Sequence, residues 1–262
     1  MNAETHSRET IDLRTEGRTA WITLDRPPLN ILDTAMMKSL SRMLAHVLDP
    51  KAASCDFLIF QGAGKAFSSG AEIADHTPDR IGAMLAAFHQ VFRQLARAEC
   101  LTISAVHGHC LGGGMELATF CDFVIAAETA EFGQPEIKLG CFPPVAMITL
   151  PALIGPRAAT DLILTGRTIS ANEALRLGLV TQVVPDKTLD EAVRQWIGGQ
   201  RALSPAVLKL AGRSLRRTWQ RDFESELGKI EQIYLGQLMK MEDAREGIRA
   251  FMEKRQPTWR GR

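Results

Sequence analysis

Four stretches of this 262-residue chain combine residue types and spacings that could do chemistry. In His107-Gly-His-Cys-Leu-Gly-Gly-Gly-Met-Glu-Leu-Ala118, three consecutive glycines stand where a helix is predicted to begin. Glycines there bare backbone N–H groups at the positive end of the helix dipole, a setting for a phosphate or a developing oxyanion. No Lys-Ser or Lys-Thr follows them and the spacing is not GxGxxG, so nucleotide-phosphate and dinucleotide loops fit poorly. Glu116 falls on the first turn of that helix, where it could move protons or equally just satisfy the dipole. In Glu131-Phe-Gly-Gln-Pro-Glu-Ile-Lys-Leu-Gly140, Glu136 has apolar neighbours and follows Pro135. Burial would raise its pKa and suit it to acid–base work; an exposed carboxylate paired with Lys138 is the alternative. Gly62-Ala-Gly-Lys-Ala-Phe-Ser-Ser-Gly-Ala-Glu72 is rich in small residues that let a ligand reach backbone N–H groups, although its composition also describes a surface loop. Cys141-Phe-Pro-Pro-Val-Ala-Met-Ile-Thr-Leu150 is apolar with adjacent prolines, and reads as a pocket wall or as core.

The elements that must hold these stretches are legible around them. Ile11 to Leu24 predicts two short strands about a Glu16-Gly17-Arg18 turn. Asp33 caps a predicted helix bearing Met36, Leu40, Met43, Leu44 and Val47 on one face. Phe57 to Phe60, Leu101 to Val106 and Phe123 to Ala126 read as buried strands. Thr77-Pro78-Asp79 predicts a cap with proline at the first helical position, ahead of the face Ile81, Leu85, Phe88, Phe92 and Leu95. Helix signals dominate from about residue 144. Ser170/Glu173 and Thr188/Glu191 fit capping boxes, and Ser204-Pro205 opens a further helix. Phe223, Leu227, Ile230, Tyr234, Leu238 and Met241 follow at helical spacing; this face is expected to be buried between subunits. Mixed strands and helices followed by helices alone predict an α/β core over residues 1–200 and a helical region over 201–262.

Composition narrows the classes. Hydrophobic residues at 45% and charged residues at 23% describe a folded globular chain and exclude a disordered tail or coiled rod. The formal net charge of +1 offers no bulk attraction to nucleic acid or an anionic membrane. No apolar run approaches the roughly 20 residues that span a bilayer. The polar start MNAETHSRETIDL resembles neither a signal nor a transit segment. Cys55, Cys100, Cys110, Cys121 and Cys141 are odd in number and lack CxxC spacing, which predicts free thiols, a cytoplasmic location and no structural metal.

Taken together and in order, the motifs resemble the crotonase family, the enoyl-CoA hydratases and isomerases. The resemblance covers nearly the whole chain. It is carried by Trp21-Ile-Thr-Leu-Asp-Arg-Pro-Pro-Leu-Asn30, Ala66-Phe-Ser-Ser-Gly-Ala-Glu72, Gly112-Gly-Gly-Met-Glu116 and Phe132-Gly-Gln-Pro-Glu-Ile-Lys-Leu-Gly140. Thr165-Gly-Arg, Ala174-Leu-Arg-Leu-Gly-Leu-Val180 and Phe251-Met-Glu-Lys-Arg255 extend it. It implies a spiral of ββα repeats with a C-terminal helical trimerisation region, assembling as a trimer or hexamer. It implies an acyl-CoA substrate with no added cofactor. The oxyanion hole would be the N–H groups of Ala71 and Gly113, holding a thioester carbonyl as it becomes an enolate. Glu116 and Glu136 occupy both positions of the family's water-activating pair, which favours hydration over isomerisation.

The family pattern is broken after Glu136. Hydratases of the family carry a glycine-rich stretch there, whereas this chain has Gly140-Cys-Phe-Pro-Pro-Val-Ala-Met. Pro144 replaces a glycine and has no N–H to donate. The stretch looks closest to the cyclohexa-1,5-diene-1-carbonyl-CoA hydratases, as do Arg26-Pro-Pro-Leu-Asn-Ile-Leu-Asp33 and His76-Thr-Pro-Asp79. The implied acyl pocket is Phe142, Pro143, Pro144 and Val145. General 2-enoyl-CoA hydration and enoyl-CoA isomerisation are the alternatives. By the same resemblance Pro28, Ile31, Ala66, Ser68, Glu72, Ile73 and Ala74 contact coenzyme A, while Phe251 and Lys254 reach the nucleotide of a neighbouring subunit. Arg26 reads as structural. Residues 201–262 hold 14 Lys and Arg against 8 Asp and Glu, a net of +6 that leaves −5 on the rest. That split allows a basic rim for the coenzyme A phosphates.

Overall fold

The computed structural model describes residues 10–49, 51 and 55–262, so most of the polar start lies outside the described residues. Strands β1 (Ile11–Glu16) and β2 (Thr19–Leu24) form the expected antiparallel hairpin. Helix α1 (Thr34–Val47) follows, and the Asp33 carboxylate accepts from the Met36 N–H at 2.8 Å. Three ββα turns come next: β3 (Phe57–Gly62), β4 (Ala66–Ser68) and α2 (Ile81–Ala96); β5 (Leu101–Val106), β6 (His109–Leu111) and α3 (Gly113–Phe120); β7 (Phe123–Ala127), β8 (Glu131–Gly133) and α4 (Pro144–Thr165). The chain closes with β9 (Thr168–Ser170), α5 (Ala171–Leu177), β10 (Gln182–Val184), α6 (Leu189–Gln200), α7 (Pro205–Trp219), α8 (Phe223–Gly236) and α9 (Glu242–Met252).

The first strand of each turn joins a six-stranded sheet ordered β1-β2-β3-β5-β7-β10, parallel from β2 onward. The second joins a four-stranded sheet ordered β4-β6-β8-β9. This is the spiral that the resemblance implies. Every residue of β5 is buried, as befits a parallel strand covered on both faces. One core layer gathers Phe60, Phe92 and Phe132; another, on the opposite face, gathers Trp21, Ile59, Ile103 and Ile125.

Several local expectations differ from the structure. Strands follow residue 144 after all: β9 and β10 are each three residues long, too short to show an alternating pattern, and so are β4, β6 and β8. Helix α2 starts at Ile81 rather than Pro78, because Thr77 to Arg80 form a turn whose Thr77 carbonyl accepts from the N–H groups of Arg80 and Ile81. Ser170 caps α5 by accepting from the Glu173 N–H, but the Thr188 hydroxyl donates instead to the Pro185 carbonyl and caps nothing. Helix α4 has the length and mean hydropathy (1.3) of a membrane span, yet Pro151, Pro156 and a non-helical Gly155 break it. Val145, Leu150 and Leu162 pack one side of this kinked helix on the core, while Met147 and Leu164 are exposed.

The face of the 223–241 segment is also largely internal. Phe223 packs its ring 5.0 Å from Phe120, and Tyr234 packs 5.0 Å from Phe142. The apolar side chains left exposed at this end include Val207, Leu210 and Leu215 of α7, and Ile233, Leu235 and Met241 on the outer side of the 223–241 segment.

Candidate active site

A cavity of about 550 Å³ opens where the loops after β4, β6 and β8 meet α9. Its inner end is built from backbone. Asn30 is fully buried, and its side-chain amide donates to the carbonyls of Ala63 (2.9 Å), Ala66 (2.8 Å) and Phe67 (3.3 Å). The Ser68 hydroxyl donates to the Asn30 carbonyl and accepts from the Gly70 N–H. These bonds fix the turn that presents Ala71. Helix α3 starts beside it: a methyl placed on Gly113 would lie 3.5 Å from the Ala71 nitrogen and only 2.9 Å from the Phe88 ring. Among the described residues, neither the Ala71 nor the Gly113 N–H has a hydrogen-bond partner. Two free donors therefore stand close together, and such a pair could hold an oxyanion.

The two carboxyl groups stand next to these donors. Glu116 is 2% exposed, and its Oε1 accepts from the Ala146 N–H at 2.8 Å. That N–H belongs to the first turn of α4, whose start is set by Pro143 and Pro144. Burial pushes the Glu116 carboxyl up to about 7, against the pull of the Val145 and Ala146 amides. Glu136 sits on the short 3-10 turn Pro135–Leu139, half-buried in the cavity wall. Burial, then the charge of Glu116, raise its carboxyl well above the ordinary range. No cation neutralises either acid among the described ion pairs, and Lys138 is not paired with Glu136. Gly112 is the residue that makes room. Its φ is +51°, and a methyl there would fall 2.6 Å from Glu136 Oε1. The side-chain amide of the fully buried Gln134 faces Glu136, and turned so that its nitrogen points to the carboxylate it lies 3.3 Å from Oε1 and 3.2 Å from Oε2 and can donate. One protonated and one ionised carboxyl, held beside two free backbone N–H groups, can take a proton from water and return one to carbon.

The other sequence-derived positions divide. Ile31, Glu72, Ile73 and Phe251 line the cavity. Phe251 lines it from α9 of the same chain. Ala66 and Ser68 are fully buried: β4 is an edge strand of the small sheet, and Asn30 covers it by donating to the Ala66 carbonyl and accepting from the Ser68 hydroxyl, so neither offers a surface to a ligand. Pro28 and Lys254 are exposed and Ala74 is half-buried, and none of the three lines the cavity. Phe142, Pro143, Pro144 and Val145 are likewise absent from the lining. They form the layer behind it, with Phe142 against Tyr234 and Val145 fully buried. The apolar wall comes instead from Leu139, Cys141 and Ile248. Arg26 is structural as expected: it donates to the Ile31 carbonyl and pairs with Glu72 and Asp33, all at 3.0–3.3 Å.

Sequence reasoning passed over Asn30, Gln134 and the α4 amides. The first two stood inside quoted motifs, but nothing local marked their side chains as buried and aimed. The expected basic rim is mostly consumed. Arg216 pairs with Asp122, Arg249 and Arg255 with Glu246, and Arg262 with Glu242. A second hollow of about 590 Å³, between α9 and the C-terminal tail, is lined by Glu246 with its partners Arg249 and Arg255, and by Glu242 with Arg260.

The chain matches the family model described as enoyl-CoA hydratase/isomerase over residues 14–262. It is 35% identical to the cyclohexa-1,5-dienecarbonyl-CoA hydratase of Thauera aromatica across 95% of this chain and 96% of that one. It is 38% identical to a probable enoyl-CoA hydratase of Rhizobium meliloti across 98% of this chain and 100% of that one. The crystal structure of an enoyl-CoA hydratase from Bacillus anthracis superposes with a TM-score of 0.75 at 33% identity, covering 97% of this chain and 100% of that one. The sequence motifs, the spiral and these likenesses agree: the chain belongs to the enoyl-CoA hydratase/isomerase family.

Proposed function

We propose that this hydro-lyase adds water to a conjugated cyclic acyl thioester of the cyclohexa-1,5-diene-1-carbonyl-CoA type. The observation that carries the chemistry is the juxtaposition of two carboxyl groups lacking a cation with two free backbone N–H groups. One glutamate, ionised, takes a proton from water as the water oxygen bonds to the conjugated ring carbon. The electron pair moves to the thioester oxygen, where the N–H groups of Ala71 and Gly113 hold the enolate. The other glutamate, protonated, then delivers its proton to carbon, so the pair ends with one proton as it began. Ile31, Glu72, Ile73 and Phe251 line the approach of the coenzyme A thioester. Phe142, Pro143, Pro144 and Val145 shape the acyl site from behind, by fixing the start of α4 and hence Glu116. The ring substrate is supported by the likeness to the Thauera aromatica enzyme and by the Cys141-Phe-Pro-Pro stretch. The likeness to the Rhizobium meliloti protein favours a second reading, general 2-enoyl-CoA hydration. Self-association, on this reading, uses the exposed apolar side chains of α7.

Parallel measurement of kcat/KM for cyclohexa-1,5-diene-1-carbonyl-CoA and crotonyl-CoA tests the choice. The ring substrate is expected to be preferred by about tenfold or more, the effect of a modest difference in pocket fit. Preference for crotonyl-CoA establishes the second reading, and turnover of neither removes both.

A further inference from the structure

His76 ends the 3-10 turn Ile73–His76 and lines the cavity. It is 8% exposed, and its Nδ1 lies 2.9 Å from the Glu72 carbonyl oxygen. A carbonyl only accepts, so Nδ1 carries the ring proton. Burial lowers the pKa of this imidazole, against the pull of the Glu72 carbonyl and the nearby Asp75 and Glu72 charges, so the ring is neutral at pH 7. Its other nitrogen, Nε2, is then a bare acceptor. It has no protein partner among the described residues and is not sealed from solvent. The cavity it lines is mostly apolar, with Leu139, Cys141 and Ile248 in its wall and Glu72 and Lys138 as further charged lining. Nothing in the acid–base chemistry uses this group. Glu116 and Glu136 arrive from α3 and the 135–139 turn, whereas His76 arrives from a different turn, packed against α9.

We propose that His76 is a specificity-determining residue whose Nε2 selects acyl groups that stop short of it or bring a hydroxyl to it, and rejects long unbranched hydrocarbon chains. The inference rests on the acyl-CoA reading of the cavity. Water satisfies Nε2 in the free protein. A hydrocarbon chain that covers it strips that water and returns nothing, and leaving a buried acceptor unmet weakens binding by about tenfold or more. A compact ring ending before His76 escapes this cost, and a hydroxyl removes it.

Calorimetric titration of the full chain with butanoyl-CoA and decanoyl-CoA tests this without turnover, because saturated thioesters cannot be hydrated. In His76→Met the ratio of the two affinities is expected to move by about tenfold towards decanoyl-CoA. His76→Gln, which keeps an acceptor, is expected to hold the wild-type ratio. An unchanged ratio in folded His76→Met protein overturns the inference, as does the same shift in His76→Gln. Should His76→Met fail to fold, the wild-type protein decides with hydroxydecanoyl-CoA isomers bearing the hydroxyl at successive carbons from C4 outward, beyond the C3 position that hydration itself fills. At least one is expected to bind about tenfold tighter than decanoyl-CoA, and no preference at any position overturns the proposal. Loss of the hydratase reading would show separately, as absence of turnover with every enoyl-CoA, and these binding ratios would still be readable.

Discussion

Buried and half-buried acids stand at two places in the spiral, and their company differs. Asp56 and Asp122 lie just ahead of β3 and β7, where the parallel strands begin. Helix α7 brings cations to both. Asp56 accepts from Arg18 at 2.6 and 2.7 Å and from Lys209 at 2.8 Å. Burial alone would raise its carboxyl, but these partners hold it below its ordinary value. Asp122 pairs with Arg216, itself 3% exposed, and accepts from the N–H and hydroxyl of Thr102. Glu116 and Glu136 follow the small-sheet strands β6 and β8 and meet amides but no cation. In the first region a buried charge is matched and becomes a fastening. In the second it is left unmatched, so its proton is free to move at neutral pH.

Removing the unmatched charges should cost activity above all. Glu116→Gln and Glu136→Gln are each expected to lower kcat for enoyl-CoA hydration by about 10²–10⁴, the usual worth of a positioned acid or base. Retention of activity within tenfold in either variant would dissolve the distinction between the two regions. The matched region should respond in stability instead. Arg216→Met leaves Asp122 buried beside no cation and is expected to cost about 3–5 kcal/mol in urea unfolding, with kcat per folded molecule preserved. A smaller loss, or a fall in kcat at unchanged stability, would break the comparison from the other side.

The third test turns on pH. The folded-state value of Glu116, about 7, lies above its ordinary 4.5. The folded chain therefore holds a proton that the unfolded chain releases. That contribution to stability is complete below about pH 4.5 and is lost as pH rises through 7. Glu116→Gln has no such loss. Relative to wild type it should gain stability between pH 5 and pH 8, by something on the order of 3 kcal/mol. Urea unfolding at the two pH values measures the gain, and a constant difference would mean that burial does not hold the proton there.

How much of this was legible beforehand depended on range. Asp33 and Ser170 act on N–H groups three residues ahead, and their roles could be read from spacing. Thr188 has the same spacing to Glu191, yet its hydroxyl turned back to Pro185, because the local turn offered a nearer acceptor. Asn30 reaches carbonyls more than thirty residues away, and Glu116 reaches an amide thirty residues on; no local period reports such contacts. The residues read as a pocket wall lie one layer behind the cavity, for a related reason. Phe142 to Val145 are as apolar as a pocket lining should be, but hydrophobicity states that a side chain leaves water, not which cavity it faces.

The sequence by itself determined the alternation of strand and helix, the glycines at which backbone could be bared and the two glutamates that follow them. Those properties reside in single residues and short periods. Only the tertiary structure decided that both acids lack a counter-charge, that Gln134 and the start of α4 orient them, and that His76 and Phe251 share their cavity. These are properties of which distant segments meet, and that meeting is set by how the spiral buries its apolar faces as a whole.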